Sequence, residues 1–83
     1  MQIELKLYAS LGQYLPETAV HNVALIDVAD GVNPEKVLSD RGVPLDQCHL
    51  VLVNGIYLAP SERGGHVLED GDALAVWPPV AGG

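Results

Sequence analysis

Asn33, Pro34 and Gly42 bracket the clearest helix in the chain, and the shortness of that helix constrains everything around it. Asn33 is suited to cap the first turn. Pro34 fits the first helical position, where a missing N–H breaks no bond, and Glu35 faces the positive end of the helix dipole. Arg41 falls in the last turn and Gly42 supplies the C′ stop. Only about two turns fit between these signals, and a helix that short does not persist alone in water. Its apolar residues, Val37 and Leu38, must therefore lie across a sheet.

The strands of that sheet are read from period-two patterning. Residues 2–8 alternate strictly, with Ile3, Leu5 and Leu7 apolar and Gln2, Glu4 and Lys6 polar, which predicts a half-buried strand. Residues 9–15 carry Leu11, Tyr14 and Leu15 at helical spacing before Pro16, consistent with a short helical turn. Residues 20–28 return to strand composition. Val23 and Leu25 are expected on one face there, and the alternation changes phase near residues 26–28, as a bulge would make it do. Pro16, Glu17 and Thr18 supply a turn between these two strands. After the helix, residues 49–53 are apolar on both faces, Asn54 and Gly55 signal a tight turn, and Ile56, Tyr57 and Leu58 make a short edge strand closed by Pro60. Residues 61–65 read as a polar, glycine-rich, flexible loop, and the Glu69, Asp70, Gly71, Asp72 turn feeds a final strand over residues 73–77. Two strand pairs flanking one helix imply an α+β fold, a mixed sheet wrapped around the helix with its first and last strands adjacent at the centre. Leu38 is expected to pack with Leu5, Leu25, Leu52 and Leu74.

A chain of 83 residues is expected to form one domain. At that size about 60% of the unfolded surface is buried, which leaves little room for a deep, self-contained catalytic cleft. The 48% hydrophobic and 18% charged content argues for a folded globule. No run approaches the roughly 18 apolar residues of a membrane span, the start Met1, Gln2, Ile3, Glu4 is unlike a signal peptide, and Cys48 is the single cysteine. A cytoplasmic protein is expected. Eleven acidic residues against Lys6, Lys36, Arg41 and Arg63 give a net charge of −7. Neither nucleic acid nor an anionic membrane suits that balance, whereas a partner with a basic docking face does; plain solubility is the other reading.

Internal sites are weak. His21, Cys48, His49 and His66 have no metal-ligand spacing, and Cys48 and His49, as neighbours on a strand, point to opposite faces, so no metal site is expected. The same opposition separates Cys48 from a base, which makes it a small packed residue rather than a nucleophile. Arg63, Gly64, Gly65 and His66 lack the spacing of a phosphate-binding loop.

Attention therefore falls on the tail: a domain over residues 1–77, then a flexible segment over 78–83 made of Pro78, Pro79, Val80, Ala81, Gly82 and Gly83. The prolines favour an extended exit, and the glycines have no Cβ to keep a partner's backbone away. Six extended residues reach roughly 20 Å. Composition leaves two readings open, a frayed terminus or a reactive end whose chemistry belongs to the Gly83 carboxylate. Trp77, immediately before the tail, is expected to form an apolar partner-docking face with Leu50, Val51 and Val53, the alternative being that Trp77 anchors the core.

The stretch from Leu68, Glu69, Asp70, Gly71 and Asp72 through Leu74 and Val76 to PPVAGG resembles the sulfur-carrier family that includes the small subunit of molybdopterin synthase and the thiamine-pathway sulfur carrier. Val53, Asn54 and Gly55 are similar to that family's third-strand motif, and residues 7–15, with Leu11 and Tyr14, to the opening pattern of its molybdopterin branch. The resemblance implies a ubiquitin-like β-grasp fold. It also implies a chemical cycle in which a ubiquitin-activating-like adenylyltransferase uses ATP to adenylate Gly83, and sulfur from a persulfide donor then displaces AMP to leave a thiocarboxylate. On that reading the chain binds no cofactor of its own and is a cosubstrate rather than an enzyme. A large synthase subunit or other acceptor enzyme would take the sulfur, most closely in the assembly of a pterin cofactor for molybdenum or tungsten. Thiamine thiazole synthesis, a ubiquitin-like modifier joined through Gly83 to lysine, and a docking module are the alternatives.

Overall fold

Ile3, Leu5 and Leu7 lie fully buried along strand β1 (Gln2–Leu7), as their alternation with polar residues requires. The computed structural model describes residues 1–80, so the expectations placed on Ala81, Gly82 and Gly83 lie outside the described residues. Strand β2 (Val23–Asp27) pairs antiparallel with β1 in an unbroken register from Gln2 opposite Asp27 to Lys6 opposite Val23. No bulge interrupts it. The inward positions are Ala24 and Ile26, followed by half-buried Val28, and Leu25 is 62% exposed. The phase change expected at residues 26–28 is thus an alternation through 24, 26 and 28 whose first member is a small alanine. A one-residue error in phase turns every side chain to the other face.

The link between these strands begins with a 3-10 turn over Ala9–Tyr14, where Leu11 is buried. It ends in a tight turn in which Val20 and Val23 exchange both backbone hydrogen bonds around His21 and Asn22, each with positive φ. Asn22 fits there because its short amide tolerates the left-handed region and donates to the Leu7 carbonyl at 2.9 Å.

Helix α1 (Pro34–Asp40) follows the capping signals closely. The Asn33 side chain accepts from the Lys36 N–H at 2.8 Å, Pro34 opens the helix and Arg41 is its C-cap. Gly42 has a φ of 81°, with bonds from Gly42 N–H to Ser39 O and from Val43 N–H to Leu38 O. This is the Schellman closure, and buried Val43 supplies the apolar contact that accompanies it. Val37 and Leu38 face the sheet and are buried.

Strand β3 (Leu50–Val53) turns through Asn54 and Gly55, both at positive φ, into β4 (Ile56–Tyr57). Asn54 also stitches β3 to the last strand, donating to the Asp72 carboxylate and accepting from the Ala73 N–H, both at 2.8 Å. Leu58 leaves β4 and enters the core. Strand β5 (Ala73–Trp77) lies parallel to β1 and antiparallel to β3, giving the order β2-β1-β5-β3-β4 with the first and last strands central. The sheet is mixed and carries α1 on one face. Leu38 shares its core with Leu5 and Leu74, as expected. Leu25 and half-buried Leu52 lie outside that core because their strand positions face away from the helix.

The segment over 61–65 departs from the flexible loop expected of it. A 3-10 turn over Pro60–Glu62 is held by the Glu62 carboxylate, which accepts from the Ala59 N–H at 2.7 Å, and Arg63 folds inward to 6% exposure. No helix among the described residues is long and apolar enough to cross a membrane.

Candidate functional site

The face of the sheet opposite α1 is built by register. Trp77 sits opposite Leu50, Ala75 opposite Leu52, and Leu52 opposite Tyr57, so these side chains share one surface. Tyr8 follows β1 and comes level with Trp77, since Leu7 pairs with Val76. The two rings stack with centroids 4.5 Å apart and planes 12° from parallel. Leu50 and Tyr57 are exposed, and Leu52 and Trp77 are half-buried on the face away from α1. The Glu4–Lys6 ion pair, 3.6 Å long, borders this apolar strip on the β1 side.

Trp77 and Leu50, both expected on a partner-docking face, lie on the sheet face away from α1, and Trp77 is not part of the core cluster. Val51 and Val53 are a correction. Both are buried against the helix, because alternate residues of a strand point to opposite faces and those two fall on the inner one. Leu52, between them, takes their place on the outside. Tyr8 and Tyr57 join the face through strand register, which no short motif reveals.

The tail starts from this face. Val76 O accepts from the Tyr8 N–H at 3.1 Å and Trp77 O from the His49 N–H at 3.0 Å, the last bonds that tie β5 to its neighbours. Pro78 and Pro79 have no N–H with which to continue a ladder. Pro78 is half-buried, Pro79 exposed, and Val80 76% exposed. Ala81, Gly82 and Gly83 lie outside the described residues.

Cys48 is buried, its Sγ 3.6 Å from the Pro44 carbonyl, and belongs to the core cluster. Burial pushes its thiol above the usual range, with nearby Arg63 pulling the other way and Asp46 adding to the rise. A thiol so held is a poor nucleophile at neutral pH. Among the described residues, no three His, Cys, Asp or Glu side chains gather where they could hold a metal ion.

A family model described as Mut7-C ubiquitin matches residues 1–82, nearly the whole chain. The chain belongs to the Mut7-C ubiquitin family. Solved structures agree with that placement. SAMP1 from Haloferax volcanii is 26% identical, with full coverage of both chains and a TM-score of 0.67. The HVO 2177 protein of the same organism is also 26% identical, over all of this chain and 87% of its own, with a TM-score of 0.76. A chain in the complex of subunits 1 and 2 of molybdopterin-converting factor from Helicobacter pylori is 21% identical over both full lengths, with a TM-score of 0.61, a likeness of fold. No curated protein matches the sequence significantly. The chain is therefore a ubiquitin-like β-grasp protein, as the family resemblance carried by the D-G-D turn and the PPVAGG tail implies.

Proposed function

We propose that this protein is a sulfur carrier whose Gly83 is adenylated and then converted to a thiocarboxylate. The observation that carries the reading is the continuity between the apolar strip of Tyr8, Leu50, Leu52 and Trp77 and the root of a proline-led tail ending in Gly-Gly. A partner that grips the strip has the tail directed into its own active site, so the carrier supplies no base or metal and the partner supplies the chemistry. Binding energy gathered on the sheet face is used to hold the carboxylate where it reacts.

In this cycle the Gly83 carboxylate attacks ATP on an activating enzyme and pyrophosphate leaves. The terminal sulfur of a donor persulfide then attacks the acyl carbon of the adenylate and AMP departs, leaving an acyl disulfide. A thiol attacks the donor's sulfur, the S–S bond breaks, and the thiocarboxylate leaves as the donor and the thiol end joined in a disulfide. Gly82 and Gly83 let more than one active site close around the same end. The acceptor we favour is a large synthase subunit that builds a pterin cofactor for molybdenum or tungsten. The PPVAGG ending behind an aromatic supports this choice, as does the likeness in fold to a molybdopterin-converting factor that is a two-subunit complex.

The test is mass spectrometry of the protein after incubation with its activating enzyme, ATP and a sulfur source. One oxygen-to-sulfur replacement, located by fragmentation at Gly83, is expected. Lysine-linked conjugates formed with no thiocarboxylate would move the assignment to a ubiquitin-like modifier.

A further inference from the structure

Arg63 is a buried cation for which the described residues provide no ion-pair partner. Its guanidinium instead serves three backbone carbonyls, donating from Nε to Leu58 O at 3.1 Å, from Nη1 to Cys48 O at 2.7 Å and from Nη2 to His49 O at 3.2 Å. Stability alone is a poor reason for such a group, since apolar residues of similar volume often replace buried charges without loss. A planar fork of fixed donors does something an apolar residue cannot. It holds two separate chain segments, one before β3 and one after β4, at set angles to each other.

The segment before β3 is the one that holds the tail root. The Cys48–His49 peptide unit accepts from Arg63 Nη1 through the Cys48 carbonyl at 2.7 Å and donates from the His49 N–H to Trp77 O at 3.0 Å, an N–H it shares with Gln47 O at 3.1 Å. Trp77 O belongs to the peptide plane that also contains the Pro78 nitrogen, so its orientation sets the direction in which the tail leaves the sheet. Pro78 and Pro79, with φ fixed near −65°, pass that direction outward.

We infer that Arg63 is a positioning residue for the tail, acting through the Cys48–His49 peptide unit on the Trp77 carbonyl. Its consequence for chemistry rests on the sulfur-carrier reading, whereas its effect on the tail root does not.

The test uses Arg63→Met, which keeps bulk and removes every donor, and Arg63→Lys, which restores some of them. Amide hydrogen exchange on the free protein reads the tail root. Exchange at His49 is expected to quicken at least tenfold in Arg63→Met and by less in Arg63→Lys, with Leu5 and Leu74 as protected as in the wild type. Loss of protection throughout the core, or no change at His49, overturns the inference. With the activating enzyme, Arg63→Met is expected to lower kcat about tenfold while KM for the carrier stays within twofold, because the docking strip is untouched, and Arg63→Lys is expected to recover part of kcat. An unchanged kcat, or a change confined to KM, overturns it as well. A wild-type protein that is never adenylated contradicts the sulfur-carrier reading alone, and the exchange measurement still decides the role of Arg63.

Discussion

Trp77 has two tasks, its side chain belonging to the open face and its carbonyl to the last rung of the β5 ladder. The side chain is the one expected to matter most to a partner. Trp77→Ala should weaken binding of the activating enzyme or acceptor by about 2 kcal/mol or more, as hot-spot aromatics do. Stability should change little, because the ring packs on Tyr8 outside the core; unfolding by about 3 to 5 kcal/mol, the range for a core aromatic, would remove the interface assignment. Cys48 supports a prediction of pH dependence. Its folded-state pKa is raised above the ordinary 9.0, so its contribution to stability is complete below that value and is lost as pH rises through the folded pKa. Urea unfolding followed from neutral pH to above 9.0 should show the wild type losing more stability than Cys48→Val; parallel curves would contradict the burial effect. At this scale Trp77 and Cys48 were legible in the sequence because neighbours in the chain define their settings. Arg63 and Tyr8 were not. The partners of Arg63 are carbonyls brought together by folding, and the stacking of Tyr8 depends on the parallel register of β1 and β5.

Among the elements, α1 was the most legible because every signal that bounds it is local: the Asn33 cap, Pro34 at the first position, and the Gly42 stop at positive φ. Asn33→Ala should cost about 1 kcal/mol in chemical denaturation, the usual worth of such a cap. Leu38→Ala should cost about 2 to 5 kcal/mol, because the side chain is almost wholly buried between helix and sheet. A loss below roughly 0.5 kcal/mol, the range of ordinary surface changes, would mean that the helix does not pack through Leu38. Strand β2 shows where local reading ends. Val23 and Leu25 are both larger than Ala24, yet the strand turns Ala24 and Ile26 inward because Met1 and Ile3 to Leu7 of β1 fix its register from the other side. The same limit explains Val51 and Val53: a strand apolar on both faces carries no indication of which face the helix covers.

For the molecule as a whole, the order of elements was enough to place β1 and β5 side by side at the centre, since one helix between two strand pairs leaves few ways to cover a single core. A net charge of −7 adds an expectation about encounter with partners. If a partner's docking face is basic, association should slow as salt rises while the apolar strip keeps the dissociation rate nearly constant. The role proposed for Gly83 rests on composition and resemblance, and its direct measurement is a comparison of the full chain with a variant lacking Gly83. Both are incubated with the activating enzyme, ATP, a sulfur source and the acceptor enzyme, and transfer of sulfur to product is followed. The expected result is transfer by the full chain and none by the variant, with both proteins unfolding at the same denaturant concentration; full transfer by the variant would contradict a carrier that works through Gly83.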